Sequence, residues 1–270
     1  MIDLVKRESP KDKPVSLFVT CLVDVLFPET GKSMVQVLEY LGVEVNFPAG
    51  QTCCGQPGFN AGYWNESRRV AAHFLEAFEN AEVIVTPSGS CAAMVRHEYS
   101  RLFSDDPRRL AEAKRLAGIT WEFTEYLVDG LGITDLQGRL PNSQTFAFHD
   151  ACHSLRLMGL GNAARTLIGG LDNAQIIELP EHDVCCGFGG LFSVKMADIS
   201  GAMLKRKVAN IHACPAQVLS SDTSCLAHIN GGLQQLSEPK KVRHVADILA
   251  EGIAGKADYH TANSSIGGEG

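Results

Sequence analysis

The 270-residue chain is 45% hydrophobic with a mean hydropathy of −0.01, enough apolar surface for a sizeable core, which excludes a wholly disordered protein. Its 24 Lys and Arg stand against 31 Asp and Glu, a net charge of −7, and no basic stripe runs through it, so nucleic acid is not an expected partner. No run approaches the roughly 18 apolar residues of a membrane span. The charged start, Met1 to Lys13, lacks the apolar stretch of a signal peptide, and a cytoplasmic protein is expected.

In chain order, Val15–Thr20 reads as a short apolar strand, Lys32–Leu41 as helix and Val43–Phe47 as a second strand. Trp64–Glu79 carries Val70, Phe74, Leu75 and Phe78 at helical intervals, Glu82–Thr86 is a third strand and Ala92–Phe103 a helix. The same order then returns: Thr145–Phe148 strand, Ala163–Ile168 helix, Gln175–Leu179 strand, Val194–Ile211 long helix, Gln217–Ser220 strand, Leu226–Leu236 helix. Alternating strands and helices imply βαβ units and short parallel sheets. The expected architecture is therefore α/β, two Rossmann-like halves related by a pseudo-twofold axis. The halves span residues 14–106 and 143–252. Residues 107–142 are expected to form a helical bridge ended by Pro141, and residues 1–13 and 255–270 to be frayed ends.

Nine cysteines are too many for chance use, and their spacing repeats. Between Cys21 and Cys53 lie 31 residues, between Cys152 and Cys185 lie 32; between Cys54 and Cys91 lie 36, between Cys186 and Cys225 lie 38. Ser88-Gly89-Ser90-Cys91 answers Asp222-Thr223-Ser224-Cys225. Eight cysteines thus form two sets of four, and Cys214 stands outside as a buried, idle thiol. Each set falls just after the strands of its half. The carboxyl ends of parallel strands share one edge, where open α/β folds bind ligands, so each set of four thiols is delivered to one place. Gly55, Gly58, Gly62, Gly187, Gly189 and Gly190 suit loops folded tightly around an object.

Three occupants fit four converging thiols. Vicinal disulfides at Cys53-Cys54 and Cys185-Cys186 are unfavourable, because adjacent Cα atoms lie about 3.8 Å apart and ordinary disulfides need about 4.4 Å or more. Zinc suits four thiolates, but its usual pair of CxxC knuckles is absent. Adjacent cysteines reach different irons of a cluster more easily than one small ion, so an iron–sulfur cluster in each half is expected. Zinc and metal-free thiol redox chemistry stay open as alternatives.

The doubled pattern resembles the CCG cysteine-rich domains of the CCG-bearing subunit of heterodisulfide reductase and of the glycolate oxidase iron–sulfur subunit, and most closely the lactate utilisation protein A family. The likeness runs from about Leu17 to Leu249 and is densest at Phe18-Val19-Thr20-Cys21, Cys53-Cys54-Gly55-Gln56-Pro57, Pro87-Ser88-Gly89-Ser90-Cys91 and Asp183-Val184-Cys185-Cys186-Gly187-Phe188-Gly189-Gly190. The resemblance implies an iron–sulfur electron-transfer subunit, inactive alone, working with lactate utilisation proteins B and C to oxidise L-lactate to pyruvate. It implies one cluster on Cys21, Cys53, Cys54 and Cys91 and a second on Cys152, Cys185, Cys186 and Cys225. Reductase domains that hold a noncubane cluster carry a fifth cysteine, where this chain has Ser88 and Asp222. An ordinary four-thiolate [4Fe-4S] cluster, or one with an oxygen ligand, is the simpler expectation. The alternatives are a zinc- or cluster-stapled interaction scaffold and a thiol redox subunit for another 2-hydroxy acid such as glycolate.

Other constellations carry less. His149 and His153 flank Cys152 and could tune or replace a ligand, although loop histidines more often serve as hydrogen-bonders. Gly187-Phe188-Gly189-Gly190 lacks the fingerprint of a phosphate loop. Lys205, Arg206 and Lys207 form a short basic run, read as a solvated helix face or docking patch. With no flavin or nicotinamide motif in view, a partner's cofactor is expected to oxidise the substrate.

Overall fold

The computed structural model describes residues 7, 9–237 and 240–266, with side chains described up to residue 255. The first half runs β1 (Val15–Leu17), α1 (Cys21–Leu26), α2 (Pro28–Tyr40), β2 (Val45–Asn46), α3 (Gln56–Asn60), α4 (Trp64–Ala77), β3 (Val83–Thr86), α5 (Gly89–Ala93), α6 (Tyr99–Leu102), α7 (Pro107–Ile119), β4 (Thr120–Glu122) and α8 (Phe123–Glu125). The second half runs β5 (Arg139–Phe148), α9 (Cys152–Leu157), α10 (Ala163–Gly169), β6 (Asp172–Ile176), α11 (Phe192–Lys195), α12 (Ala197–Ala213), β7 (Gln217–Ser220), α13 (Thr223–Leu233), β8 (Arg243–His244) and α14 (Val245–Ile266).

Both sheets are parallel and share one topology, β2-β1-β3-β4 and β6-β5-β7-β8. The doubled α/β architecture read from the sequence is the observed one. Period-two alternation decides which face each side chain covers. Val15, Leu17, Val83 and Val85 of the first sheet, with Phe146, Phe148 and Leu219 of the second, point into one core shared by the halves. The intervening residues point the other way. Phe18 and Ile84 enter the first half's own core beneath Cys54 and Cys91, and Ala147 and Val218 enter the second half's core beneath Cys186 and Cys225. Helix α14 packs on α2 and β5 and so ties the halves together.

Several elements differ from the expected ones. Residues 107–142 are not a helical bridge: α7 feeds β4, the fourth strand of the first sheet, and β5 begins at Arg139. Thr120-Trp121-Glu122 is too short to show period-two alternation, and Glu122 masks it as polar. Pro141 lies inside β5, and the irregular step in the β5–β6 pairing falls between Arg139 and Gln144, as a residue without an N–H requires. Strand β6 ends at Ile176 rather than Leu179, whose side chain turns into the core under the cysteines. The long helix expected at Val194–Ile211 is broken at Met196, where φ is −125° and ψ 50°. The helix after β3 starts at Gly89 and widens into a π turn at Met94–Glu98.

The frayed ends are also revised. Arg7 lies 3.4 Å over the Trp121 ring and pairs with Glu125, and Pro10 is buried against Gly130. The helix expected to fray from 255 runs on to Ile266. The rest of both expectations, at residues 1–6, 8 and 267–270, lies outside the described residues.

Glu122 yields the first testable expectation. It is fully buried. Its Oε2 accepts from the Thr124 and Glu125 amides at 2.8 and 3.1 Å and from the Thr124 hydroxyl at 2.6 Å, while Oε1 has no partner. Burial raises its pKa from 4.5 to about 8. Between those values the folded chain holds a proton that the unfolded chain has lost, so stability falls with rising pH, by about 1.4 kcal/mol per pH unit at most. Glu122→Gln, which mimics the protonated carboxyl, is expected to flatten that slope in denaturant melts from pH 5 to 8. An unchanged slope would place the titration elsewhere.

Candidate metal centres

The strand order turns outward at β1, and the carboxyl end of β1 is the switch point at which open α/β sheets bind ligands. Cys21 follows β1 and opens α1, Cys53 and Cys54 lie in the loop after β2, and Cys91 sits in the first turn of α5. The second half repeats this with Cys152, Cys185, Cys186 and Cys225. Within each set the thiols touch in a chain. Cys21 bonds to Cys53, Cys53 to Cys54 and Cys54 to Cys91 at 3.4 Å. Cys152 bonds to Cys185, Cys185 to Cys186 and Cys186 to Cys225, again at 3.4 Å. All nine cysteines are free thiols. The structure therefore brings both sets of four together, and Cys214 stays apart in the second half's core.

One thiol in each set is primed as a thiolate. Cys53 is held at about 3, first by the hydrogen bond from Cys21 and then by that from Cys54. Cys185 is lowered in the same way by Cys152 and Cys186. Their donors move oppositely: the bond to the low thiol, and then burial, push Cys21 and Cys152 up. Backbone amides add to the stabilisation, since Gly55 N and Gly187 N each donate to the thiolate two residues earlier at 3.4 Å. Both glycines have left-handed backbones, φ 83° and 92°, a turn that suits glycine and lets the chain fold back over the thiols. Ser67 of α4 and Ser200 of α12 donate to the Gly55 and Gly187 carbonyls at 3.1 and 2.8 Å and pin the two loops. The Tyr99 hydroxyl donates to the Cys54 carbonyl at 3.0 Å.

The halves meet at equivalent residues. Ser88 and Asp222 form an antiparallel bridge, and the Ser90 and Ser224 hydroxyls lie 3.2 Å apart. Asp222 Oδ1 accepts from Ser224 N and Cys225 N at 3.0 and 3.3 Å. Its Oδ2 accepts from Ser90 N at 2.7 Å and Ser88 Oγ at 3.3 Å. One carboxylate thus caps α13 and also α5 across the pseudo-dyad. The second loop also leans on the first: a Cβ on Gly190 would sit 2.9 Å from Pro57 Cα.

The two histidines separate. His153 places Nδ1 3.6 Å from the Cys152 sulfur. His149 is 2% exposed, with no partner on either ring nitrogen, and lies in ligand range of Cys186 and Cys225. Burial, and then Lys207, lowers its pKa to about 4, leaving the ring neutral. The basic run is not a patch, because Lys207 is buried and donates to the Glu181 carbonyl at 2.5 Å, while Arg206 pairs with the Glu181 carboxylate. Ser67 and Ser200 escaped notice in the sequence, although aligning the two halves on their glycines puts a serine 12 residues after Gly55 and 13 after Gly187.

Two copies of a thiol-lined α/β unit, back to back, define a class of protein, and comparison with known proteins agrees. The model of the CCG cysteine-rich domain matches residues 15–96 and 146–230. Lactate utilization protein A of Exiguobacterium sp. is 46% identical over 242 residues, covering 88% of this chain and 98% of that protein. Lactate utilization protein A 2 of Bacillus cereus is 44% identical over 240 residues, with the same coverage of 88% and 98%. The chain belongs to the lactate utilization protein A family of double CCG-domain proteins. A hypothetical protein from Helicobacter pylori has a similar fold, with a TM-score of 0.65 at 9% identity, over 90% of this chain and about half, 49%, of that one.

Proposed function

We propose that this chain is the iron–sulfur electron-transfer subunit of a multi-protein system that oxidises L-lactate to pyruvate. The observation that carries the proposal is the gathering of four thiols, twice over, at the carboxyl edges of matching sheets. The relatives' names supply lactate. The residues fit the group: Cys21, Cys53, Cys54 and Cys91 would hold one cluster and Cys152, Cys185, Cys186 and Cys225 the other, each of the [4Fe-4S] type. In both sets the inner pair is nearly closed to solvent, at 2% and 7% exposure, which suits ligands of a cluster sunk in the protein. Bound clusters would supply one-electron redox centres. The chain's own residues hold the thiolates, aim the glycine amides at sulfur and shield the site with Phe18, Tyr99 and the loop from Gly187 to Gly190.

Lactate oxidation releases two electrons and two protons, and we assign that step to a partner that brings its own cofactor. Lactate utilisation proteins B and C are the proposed partners, in the cytoplasm. Exposed Val25, Leu26, Tyr63, Trp64, Val194 and Met196 lie on the segments that carry or follow the cysteines, apolar side chains that a partner docking there would cover. No described helix is long and apolar enough to cross a membrane. The test is lactate-dependent dye reduction with the iron-loaded chain alone, with each partner and with both. Activity is expected only from the full set. Turnover by the isolated chain, or full activity of the other two without it, would overturn the proposal.

A further inference from the structure

The two thiol sets match closely except at one position beneath them. Alternation along β1 and β5 carries Phe18 and His149 to equivalent places, each the first residue beyond its strand and three before the first cysteine. Phe18 packs edge-on against Phe74 and Phe78, at 4.9 and 5.6 Å between ring centres, in an apolar bed. His149 is as deeply buried, yet both of its nitrogens lack partners, and buried polar atoms rarely stay unpaired without a reason. One of its nitrogens and the sulfurs of Cys186 and Cys225 all lie within 4.8 Å of one another, with the two sulfurs 3.4 Å apart. The three donors are therefore already close to a binding arrangement.

We propose that His149 is a ligand of the second metal centre, joining Cys186 and Cys225 through a ring nitrogen in the place of one of the outer thiolates, Cys152 or Cys185, so that the second centre is a mixed imidazole–thiolate site and the first is thiolate only. The proposal rests on the metal-binding reading above. Imidazole is neutral where thiolate is anionic, so a centre that takes it in place of a thiolate carries one negative charge fewer and is more easily reduced. The two centres of one chain then differ in potential, which gives electrons a direction between them.

The experiment uses the full chain, labelled with 15N-histidine and reconstituted with iron and sulfide under anaerobic conditions. Iron and sulfide are counted first, and the reduced protein is then read by pulsed EPR. A nitrogen coupling is expected in the wild type and in Cys53→Ser/Cys54→Ser, which leaves only the second centre. It should vanish in His149→Phe, the residue type the first half carries, with Cys152, Cys185, Cys186 and Cys225 untouched. His149→Cys should hold the second half's iron without the coupling, which separates loss of a ligand from loss of fold. For an EPR-silent state, 57Fe Mössbauer is expected to show one iron site distinct from the rest, a distinction lost in His149→Phe. Iron and sulfide in both halves with neither signature overturns this proposal alone, as does a coupling that survives His149→Phe and disappears in His153→Phe. Absence of iron and sulfide from both halves overturns the electron-transfer reading and this proposal with it.

Discussion

Replacing Cys53 and Cys54 together by serine is expected to remove half of the bound iron and to leave the second centre intact. The expectation follows from geometry. Cys53 touches both Cys21 and Cys54, and Cys54 is the link to Cys91. Without that pair, Cys21 and Cys91 stand on separate elements and cannot close a site. The second set shares no thiol with the first, since its thiol–thiol contacts run among Cys152, Cys185, Cys186 and Cys225. Cys185→Ser/Cys186→Ser should be the mirror experiment, and the two together should remove all iron. The measurement is iron and acid-labile sulfide per chain after anaerobic purification, with a melting curve to show that each variant is folded. Loss of no iron, or of only a quarter, would contradict two independent centres, and stoichiometric zinc without sulfide would replace clusters by single ions.

The repeat made most of this legible. Spacing between cysteines is a one-dimensional quantity that βαβ topology converts directly into a place, so Cys21, Cys53, Cys54 and Cys91 could be put at one sheet edge from their spacing and the strands before them. Strands with three or four consecutive buried residues, such as Val83–Thr86, were plain for the same reason. What stayed hidden depended on contacts between distant segments. Strand β4 reads as a tail of helix α7 because its residues become a strand only by pairing with β3. Asp222 looked like a gap in a ligand series, and only the pseudo-dyad shows it receiving amides from two helices. His149 looked like a loop hydrogen-bonder, and only its burial and its orphaned nitrogens set it apart from His153. Arg7 read as part of a frayed end because Trp121, the ring it covers, is more than a hundred residues away.

Asp222 carries the largest stability effect expected of a residue outside the thiol sets. It is buried, and its two oxygens receive three helix-terminal amides and one hydroxyl. Its counterpart Ser88 makes no side-chain cap to its own helix, so α5 depends on the carboxylate from the other half. Loss of an N-cap costs about 1 kcal/mol, and loss of a buried hydrogen bond to a charged group about 1.5–3 kcal/mol. With two helices losing their cap at once, Asp222→Ala is expected to destabilise the metal-free chain by about 3–4 kcal/mol in denaturant melts, and Ser88→Ala by less than about 1 kcal/mol. Ser88→Asp alone would set two carboxylates against each other across the dyad and should also destabilise. Combining it with Asp222→Ser restores a single carboxylate at the mirrored position, and the double variant should be more stable than the sum of the single changes predicts. A loss below about 1 kcal/mol for Asp222→Ala, or strict additivity in the exchange, would mean that the capping is incidental. Because its oxygens are occupied by amides and a hydroxyl, Asp222→Asn is expected to keep the iron of both halves while losing part of the stability, the reverse of what an oxygen ligand to the second centre would do.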